Sequence, residues 1–130
     1  MNIPIYIGTS EKLNNIRCIK AARDIKEGEL IESCPIILLA FSELDYHDKT
    51  VLSHYSYNWN DTHDAFVLGY CVLTNHSYEP NAKFVRNFKT KKMEYFAIKD
   101  IKKDEEILIN YNGIPTDYTP VDTIYTNYKL

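Results

Sequence analysis

The stretch Ala21-Ala-Arg-Asp-Ile-Lys-Glu-Gly-Glu-Leu-Ile31 returns 76 residues later as Ala97-Ile-Lys-Asp-Ile-Lys-Lys-Asp-Glu-Glu-Ile107. Gly28 stands opposite Asp104 in this echo, and both residue types tolerate the left-handed backbone of a tight turn. The chain is therefore expected to make one strand–turn–strand bend twice, with Ile25 and Ile101 tucked inward. Two copies are too few for a solenoid, so the echo constrains architecture rather than chemistry. Around it, Ile3 to Ile7 and Ile16 to Ala21 are β-branched and aromatic enough for strands. Pro35 to Ala40 is a continuous apolar run and reads as a buried strand. Lys83 to Asn87 and Met93 to Ile98 read as hairpin arms. Glu106 to Tyr111 reads as a late strand, with Ile107, Ile109 and Tyr111 on one side. Leu44, Val51, Leu52 and Tyr55 fall near helical spacing, which predicts one or two short helical turns over 42–57 with Ser42 as cap. Phe66 to Thr74, with Gly69 inside, suits either a strand or a helix. No linker divides the chain, so a single, mainly β domain over 1–130 is expected.

Composition narrows the class. The 130 residues are 45% hydrophobic and 25% charged, as in soluble globular chains with a real core. A net charge of −3 carries no general nucleic-acid footprint, so no direct nucleic-acid partner is expected. The longest apolar run, Pro35 to Phe41, is far short of the roughly 20 residues of a membrane span. MNIPIYIGTSEK has no basic region leading into a long apolar stretch, so neither a signal peptide nor a membrane partner is expected. Cys18, Cys34 and Cys71 form an odd, widely spaced set, which argues against a disulfide framework and for an intracellular, cytoplasmic setting. Charge is uneven along the chain: residues 24–79 carry a net −8, between +3 over 1–23 and +6 over 80–103. Either the acid-rich segment steers a basic partner or the blocks face each other and cancel. Eleven tyrosines suit half-buried channels as well as strands.

The four histidines and three cysteines show no C-x-x-C or H-x₃-H spacing, so no metal site is expected. Phosphate-binding and serine-nucleophile signatures are missing as well. Cys71 lies in an apolar stretch and reads as a core thiol rather than a nucleophile paired with His76. Three polar clusters remain: Leu68-Gly-Tyr70, Asn75-His-Ser-Tyr-Glu-Pro-Asn81 and Glu105-Glu-Ile-Leu-Ile-Asn-Tyr-Asn112. In this order, after Asp24-Ile-Lys-Glu-Gly-Glu29, they resemble the SET domain of protein-lysine methyltransferases in its minimal viral and bacterial form. The resemblance covers about residues 3–118.

That resemblance implies a SET-domain fold of several small β-sheets with short helices and a C-terminal pseudoknot, the last segment threading under the Asn75–Asn81 loop. It implies transfer of a methyl group from S-adenosylmethionine to the ε-amine of a lysine in a protein substrate. The cofactor would bind on one face, and the lysine would enter a narrow channel from the other. By resemblance Tyr111 is the catalytic tyrosine, and Asn75 and His76 contact the cofactor. Tyr55, Phe84 and Ile109 fall on the substrate channel. The 116–130 tail, with Tyr118, Tyr125 and Tyr128, would fold over to close it. The sequence departs from the family where Ile16-Arg17-Cys18 replaces a Gly-x-Gly and Lys20 replaces a Phe. Arg17 and Cys18 are still assigned to the cofactor segment, Arg17 as a partner for the cofactor carboxylate. No Cys-x-Cys-x₄-Cys tail follows, and Tyr78 stands where a zinc-binding cysteine would. The substrate is expected to dock as an added strand, with a basic tail suited to the −8 segment. Two alternatives stay open: a scaffold that binds a partner without turnover, and a methyltransferase acting on small amines.

Overall fold

The two copies of the repeated bend form and clasp each other across a pseudo-twofold axis in the computed structural model, which describes residues 2–121. The Ile25 N–H donates to the Ile101 carbonyl at 2.7 Å, and the Ile101 N–H returns the bond to Ile25 at 2.8 Å. The Ala21 N–H donates to Glu105 at 2.9 Å, mirrored by Ala97 to Glu29 at 3.0 Å. Gly28 to Ala97 and Asp104 to Ala21 complete the set at 2.8 and 2.7 Å. The side chains obey the same symmetry: Asp100 Oδ1 accepts from the Glu27 N–H and Asp24 Oδ1 from the Lys103 N–H, each at 2.9 Å. Gly28 has φ +84° and Asp104 φ +71°, the left-handed turn their residue types allow. Ile25 and Ile101 are each 1% exposed, tucked inward as the echo implied.

Strands β1 (Ile5–Ser10) and β2 (Ile16–Ala21) form an antiparallel pair. Five more strands make one antiparallel sheet: β3 (Leu30–Ala40), β4 (Ser56–Asn58), β5 (His63–Val67), β7 (Ala82–Asn87) and β8 (Lys92–Ala97). Their order is β4-β5-β3-β8-β7, so β4 and β7 are the edges. Two short strands, β6 (Asn75–His76) and β9 (Leu108–Ile109), pair in parallel. Pro35, with no N–H to give, sits where β3 leaves β8 (Pro35↔Lys92) and meets β5 (Ile36↔Val67). Ile19, Met93, Tyr95, Ile107 and Ile109 are fully buried between the sheets. Among the described residues, no helix is long and apolar enough to cross a membrane.

Several local expectations change. The Pro35–Ala40 run is the end of an eleven-residue strand with only one face covered, and Ile37 is 52% exposed. Alternation forces this, because successive side chains leave a strand on opposite sides. Ser42 lies inside the 3-10 turn Phe41–Glu43 and caps nothing; the Glu43 carboxylate accepts from the Ala40 N–H at 2.9 Å. A single turn of helix, α1 (Leu44–His47), follows. The next 3-10 turn, Val51–His54, is capped by Thr50, whose Oγ1 accepts from the Leu52 N–H at 3.2 Å. Phe66 to Thr74 is both strand and helix: β5 ends at Val67 and a 3-10 turn runs Tyr70–Leu73. Gly69 separates them because a Cβ there would strike Cys34 Sγ and Glu32 Oε1. The Glu32 carboxylate caps that turn, accepting from the Cys71 N–H at 2.9 Å and the Tyr70 N–H at 3.3 Å. The late strand shortens to β9, which leaves Tyr111 in a turn.

Candidate active site

Pairing of β6 with β9 joins the two polar motifs, placing Asn75 beside Leu108 and His76 beside Ile109. The asparagines at both ends of the 75–81 loop hold this junction. Asn81 Oδ1 accepts from the Leu108 N–H, and its Nδ2 donates to the Glu106 carbonyl, both at 2.8 Å. Asn75 is buried; its Nδ2 donates to Glu106 Oε2 at 2.9 Å and to the Arg17 carbonyl at 3.2 Å. The other Glu106 oxygen accepts from the Ser10 hydroxyl at 2.6 Å. Asn75 Oδ1 is buried with no hydrogen-bond partner among the described residues. Leaving such an acceptor bare costs about 1–3 kcal/mol, so the position fits a ligand that brings an N–H donor. Beyond β9 the chain crosses the same loop: Tyr78 Oη donates to the Thr119 carbonyl and accepts from the Val121 N–H, each at 3.1 Å. Asn110 and Asn112 brace that crossing through the Asp117 and Thr119 carbonyls at 2.6 and 2.7 Å.

Tyr111 is fixed from both of its ends. Its backbone N–H donates to His76 Nδ1 at 3.0 Å, and its hydroxyl donates to the Thr74 carbonyl at 2.8 Å. An accepting Nδ1 leaves the proton of a neutral imidazole on Nε2. The His76 ring packs edge-on to Tyr78 at 4.5 Å and tilted against Tyr111 at 5.2 Å. Burial first, then the neighbouring Tyr57 and Tyr55, holds the Tyr111 phenol well above its usual pKa, so it stays a proton donor.

Tyr111 opens onto a cleft of about 470 Å³. His54, Tyr55 and Tyr57 line it from one edge of the five-stranded sheet, and Phe84 and Arg86 from the other. The sheet curls until these edges meet. The Tyr57 and Phe84 rings lie 4.9 Å apart, edge to face, and Arg86 Nε donates to the Asn58 carbonyl at 2.6 Å. Tyr57 Oη accepts from the Tyr95 hydroxyl at 2.8 Å, and burial raises the pKa of both phenols. Among the described residues no Asp or Glu lines the cleft. Aromatic walls of this kind suit an aliphatic stem ending in an amine or alkylammonium.

The fold thus gathers Tyr55, Phe84 and Tyr111 at one cleft and puts Asn75 and His76 directly behind Tyr111. Arg17 is exposed and adjoins this group through its carbonyl. Ile109 is 0% exposed within β9 and does not line the cleft. Cys18 is also 0% exposed; burial, reinforced by Glu106, pushes its thiol pKa up to about 11. Tyr118 stacks on Tyr78 at 6.0 Å and stands 71% exposed, away from the cleft. Residues 122–130 of the 116–130 tail, with Tyr125 and Tyr128, lie outside the described residues. Ile16 and Cys18 are strand residues, and the left-handed positions fall just before them at Asn14 and Asn15, φ 56° and 59°. Tyr57 and Arg86 were missed from sequence. For Arg86 the signal was alternation, since it follows Phe84 by two along β7; Tyr57 lies in β4 and Tyr55 in the turn before it.

Comparison with known proteins agrees with this geometry. The family model described as SET domain matches residues 17–112. A Schizosaccharomyces pombe relative, histone-lysine N-methyltransferase, H3 lysine-37 specific, is 28% identical over 109 residues, covering 83% of this chain and 73% of its own. A Plasmodium falciparum protein, solved as a candidate histone methyltransferase, superposes with a TM-score of 0.71 at 31% identity. That match covers 85% of this chain and 95% of the other. Polycomb repressive complex 2 of Chaetomium thermophilum, in an autoinhibited conformation bound to S-adenosylmethionine, shares the fold at TM-score 0.69 and 22% identity. There the likeness covers 88% of this chain but only 16% of that one.

Proposed function

The chain belongs to the SET domain family, and from that premise we propose that it transfers a methyl group from S-adenosylmethionine to the ε-amine of a lysine in a protein substrate. The observation that carries this reading is Tyr111, held at both ends by the Asn75–Asn81 motif region and opening onto an aromatic cleft. S-adenosylmethionine supplies a methyl carbon already activated by its sulfonium. The protein's share is therefore positioning and desolvation. Asn75 Oδ1 is the acceptor offered to the cofactor's ammonium group, with His76 and Arg17 completing that side. Tyr55, Tyr57 and Phe84 hold the lysine stem and keep water from it. Burial among these rings lowers the lysine pKa and favours the neutral amine that must attack. The Tyr111 hydroxyl orients that amine while remaining protonated itself.

The rest of the reading follows from the same geometry. The crossing of 110–121 over the 75–81 loop supports a pseudoknot, and the unbroken set of sheets supports one domain. The substrate segment docks as an added strand beside the cleft. A basic tail suits the acid-rich 24–79 segment as a long-range steering partner, although none of its carboxylates lines the cleft. Three buried free thiols support a reducing, cytoplasmic setting. A scaffold without turnover is the second reading, motivated by Ile16 and Cys18 in place of the family's glycines. Against it, those residues sit unstrained in β2, with Cys18 wholly buried. The test is to incubate the chain with S-adenosylmethionine and core histones and map methyl additions by mass spectrometry, histone H3 first because the S. pombe relative is named for it. Lysine methylation that disappears with Tyr111→Phe supports the enzyme. Saturable cofactor binding without transfer to any histone or lysine peptide favours the scaffold.

A further inference from the structure

Among the described residues, the cleft contains one formal charge that the proposed chemistry does not use. Arg86 projects from β7 beside Phe84, and its guanidinium carbon lies 5.5 Å above that ring. Its Nε is committed to the Asn58 carbonyl at 2.6 Å. An arginine carries five N–H donors in a rigid fork. The Nη donors of Arg86 make no hydrogen bond or ion pair among the described residues. The contrast with Arg23 is informative. Arg23 lies at the surface, 54% exposed, and has a carboxylate, Glu29, at 2.6 Å. Arg86 is half-buried without one, and burial holds its pKa below the ordinary arginine value.

Acid-rich as the 24–79 segment is, it offers the cleft His54, Tyr55, Ser56, Tyr57 and Asn58 and no carboxylate. Many of its acids are spent elsewhere, on the clasp at Asp24, on Arg23 at Glu29, and on turns at Glu32 and Glu43. The local charge of the cleft is thus positive while the chain as a whole is negative. A guanidinium that is partly desolvated, fixed by Phe84 and Asn58, and left with free paired donors is preorganised for a bidentate carboxylate.

We propose, resting on the methyltransferase reading above, that Arg86 selects the substrate by binding a side-chain carboxylate, Asp or Glu, close in sequence to the lysine that enters the cleft. The preference is local and differs from long-range attraction to a basic tail. A substrate can satisfy both if an acidic residue neighbours its lysine within a basic region.

The test uses the full chain and amidated peptides of equal length and equal net charge. In one set a Glu sits at each position neighbouring the single lysine in turn; in the other the same Glu is moved to the peptide end. The wild type is expected to show kcat/KM about tenfold higher for the best near-Glu peptide than for its far-Glu counterpart. Arg86→Gln is expected to abolish that ratio, and Arg86→Glu to invert it in favour of the far-Glu peptide. The ratio is read within each variant, so a general loss of rate from the broken Asn58 bond leaves it interpretable. Equal turnover of near and far peptides by the wild type, or an unchanged ratio in both variants, overturns the assignment. If the wild type methylates neither these peptides nor core histones, it is the enzymatic reading that falls.

Discussion

Tyr111→Phe separates the structural from the chemical role of one hydroxyl. The substitution keeps the ring against His76 and the backbone bond to His76 Nδ1, and removes the bond from Oη to the Thr74 carbonyl. A part-buried neutral hydrogen bond contributes about 1 kcal/mol net, so the melting temperature should fall by about 3–5 °C for a chain of this size. The catalytic loss is expected to be larger. Removing one preorganised polar group that acts on the reacting centre costs about 100-fold, or about 2.7 kcal/mol of barrier. Thermal unfolding, calorimetric titration with S-adenosylmethionine, and methyl transfer at saturating cofactor read the three quantities independently. The expected pattern is a small stability loss, unchanged cofactor affinity and turnover down by about two orders of magnitude. Turnover within threefold of wild type would refute the role given to the hydroxyl. A parallel collapse of cofactor binding would mean that it acts through the fold instead.

Two further predictions test the frame. Asp24→Ala and Asp100→Ala each remove one side-chain acceptor from equivalent places in the clasp, so each should cost about 1 kcal/mol by urea unfolding, and the two should match. A neutral effect at either site would contradict the pseudo-twofold account. Burial raises the pKa of Cys18, Cys34, Cys71, Tyr57, Tyr95 and Tyr111. The folded chain therefore keeps protons that the unfolded chain loses above its ordinary thiol and phenol values, about 8.5 and 10. Their contribution to stability should be full below about pH 8.5 and fall steadily as pH rises beyond it. Urea midpoints across that range check the slope, which Tyr57→Phe should make shallower; a flat profile would contradict the burial argument.

What could be read from sequence depended on the range of the forces involved. The twin bends were legible because turn chemistry at Gly28 and Asp104 is local and because their isoleucines repeat in register. The hairpin arms around 83–98 were legible for the same reason. Which face of β3 is covered was not, since Ile37 is exposed only because, among the described residues, nothing packs over that side of the sheet. Helix caps were misplaced because both Ser42 and Thr50 are competent caps, and tertiary context chose Thr50. At the site, Asn75, His76 and Tyr111 belong to short contiguous motifs and were visible at once. Tyr57 and Arg86 become neighbours only when the sheet curls and brings β4 against β7, a contact between segments that are distant in the chain. Ile109 was placed on the channel by resemblance alone, whereas the fold buries it wholly in β9, away from the cleft lining. The two left-handed residues at Asn14 and Asn15 were also hidden, because asparagine, unlike glycine, does not mark such a position by itself.

The central claim is that the Asn75–His76 side of Tyr111 holds S-adenosylmethionine although Ile16 and Cys18 replace the family's glycines. Calorimetric titration of the chain with S-adenosylmethionine and with its demethylated product tests it directly. The account predicts saturable, one-to-one binding in the micromolar range, about −8 kcal/mol, weakened in Asn75→Ala. No detectable heat at millimolar cofactor, at more than one temperature, would contradict it.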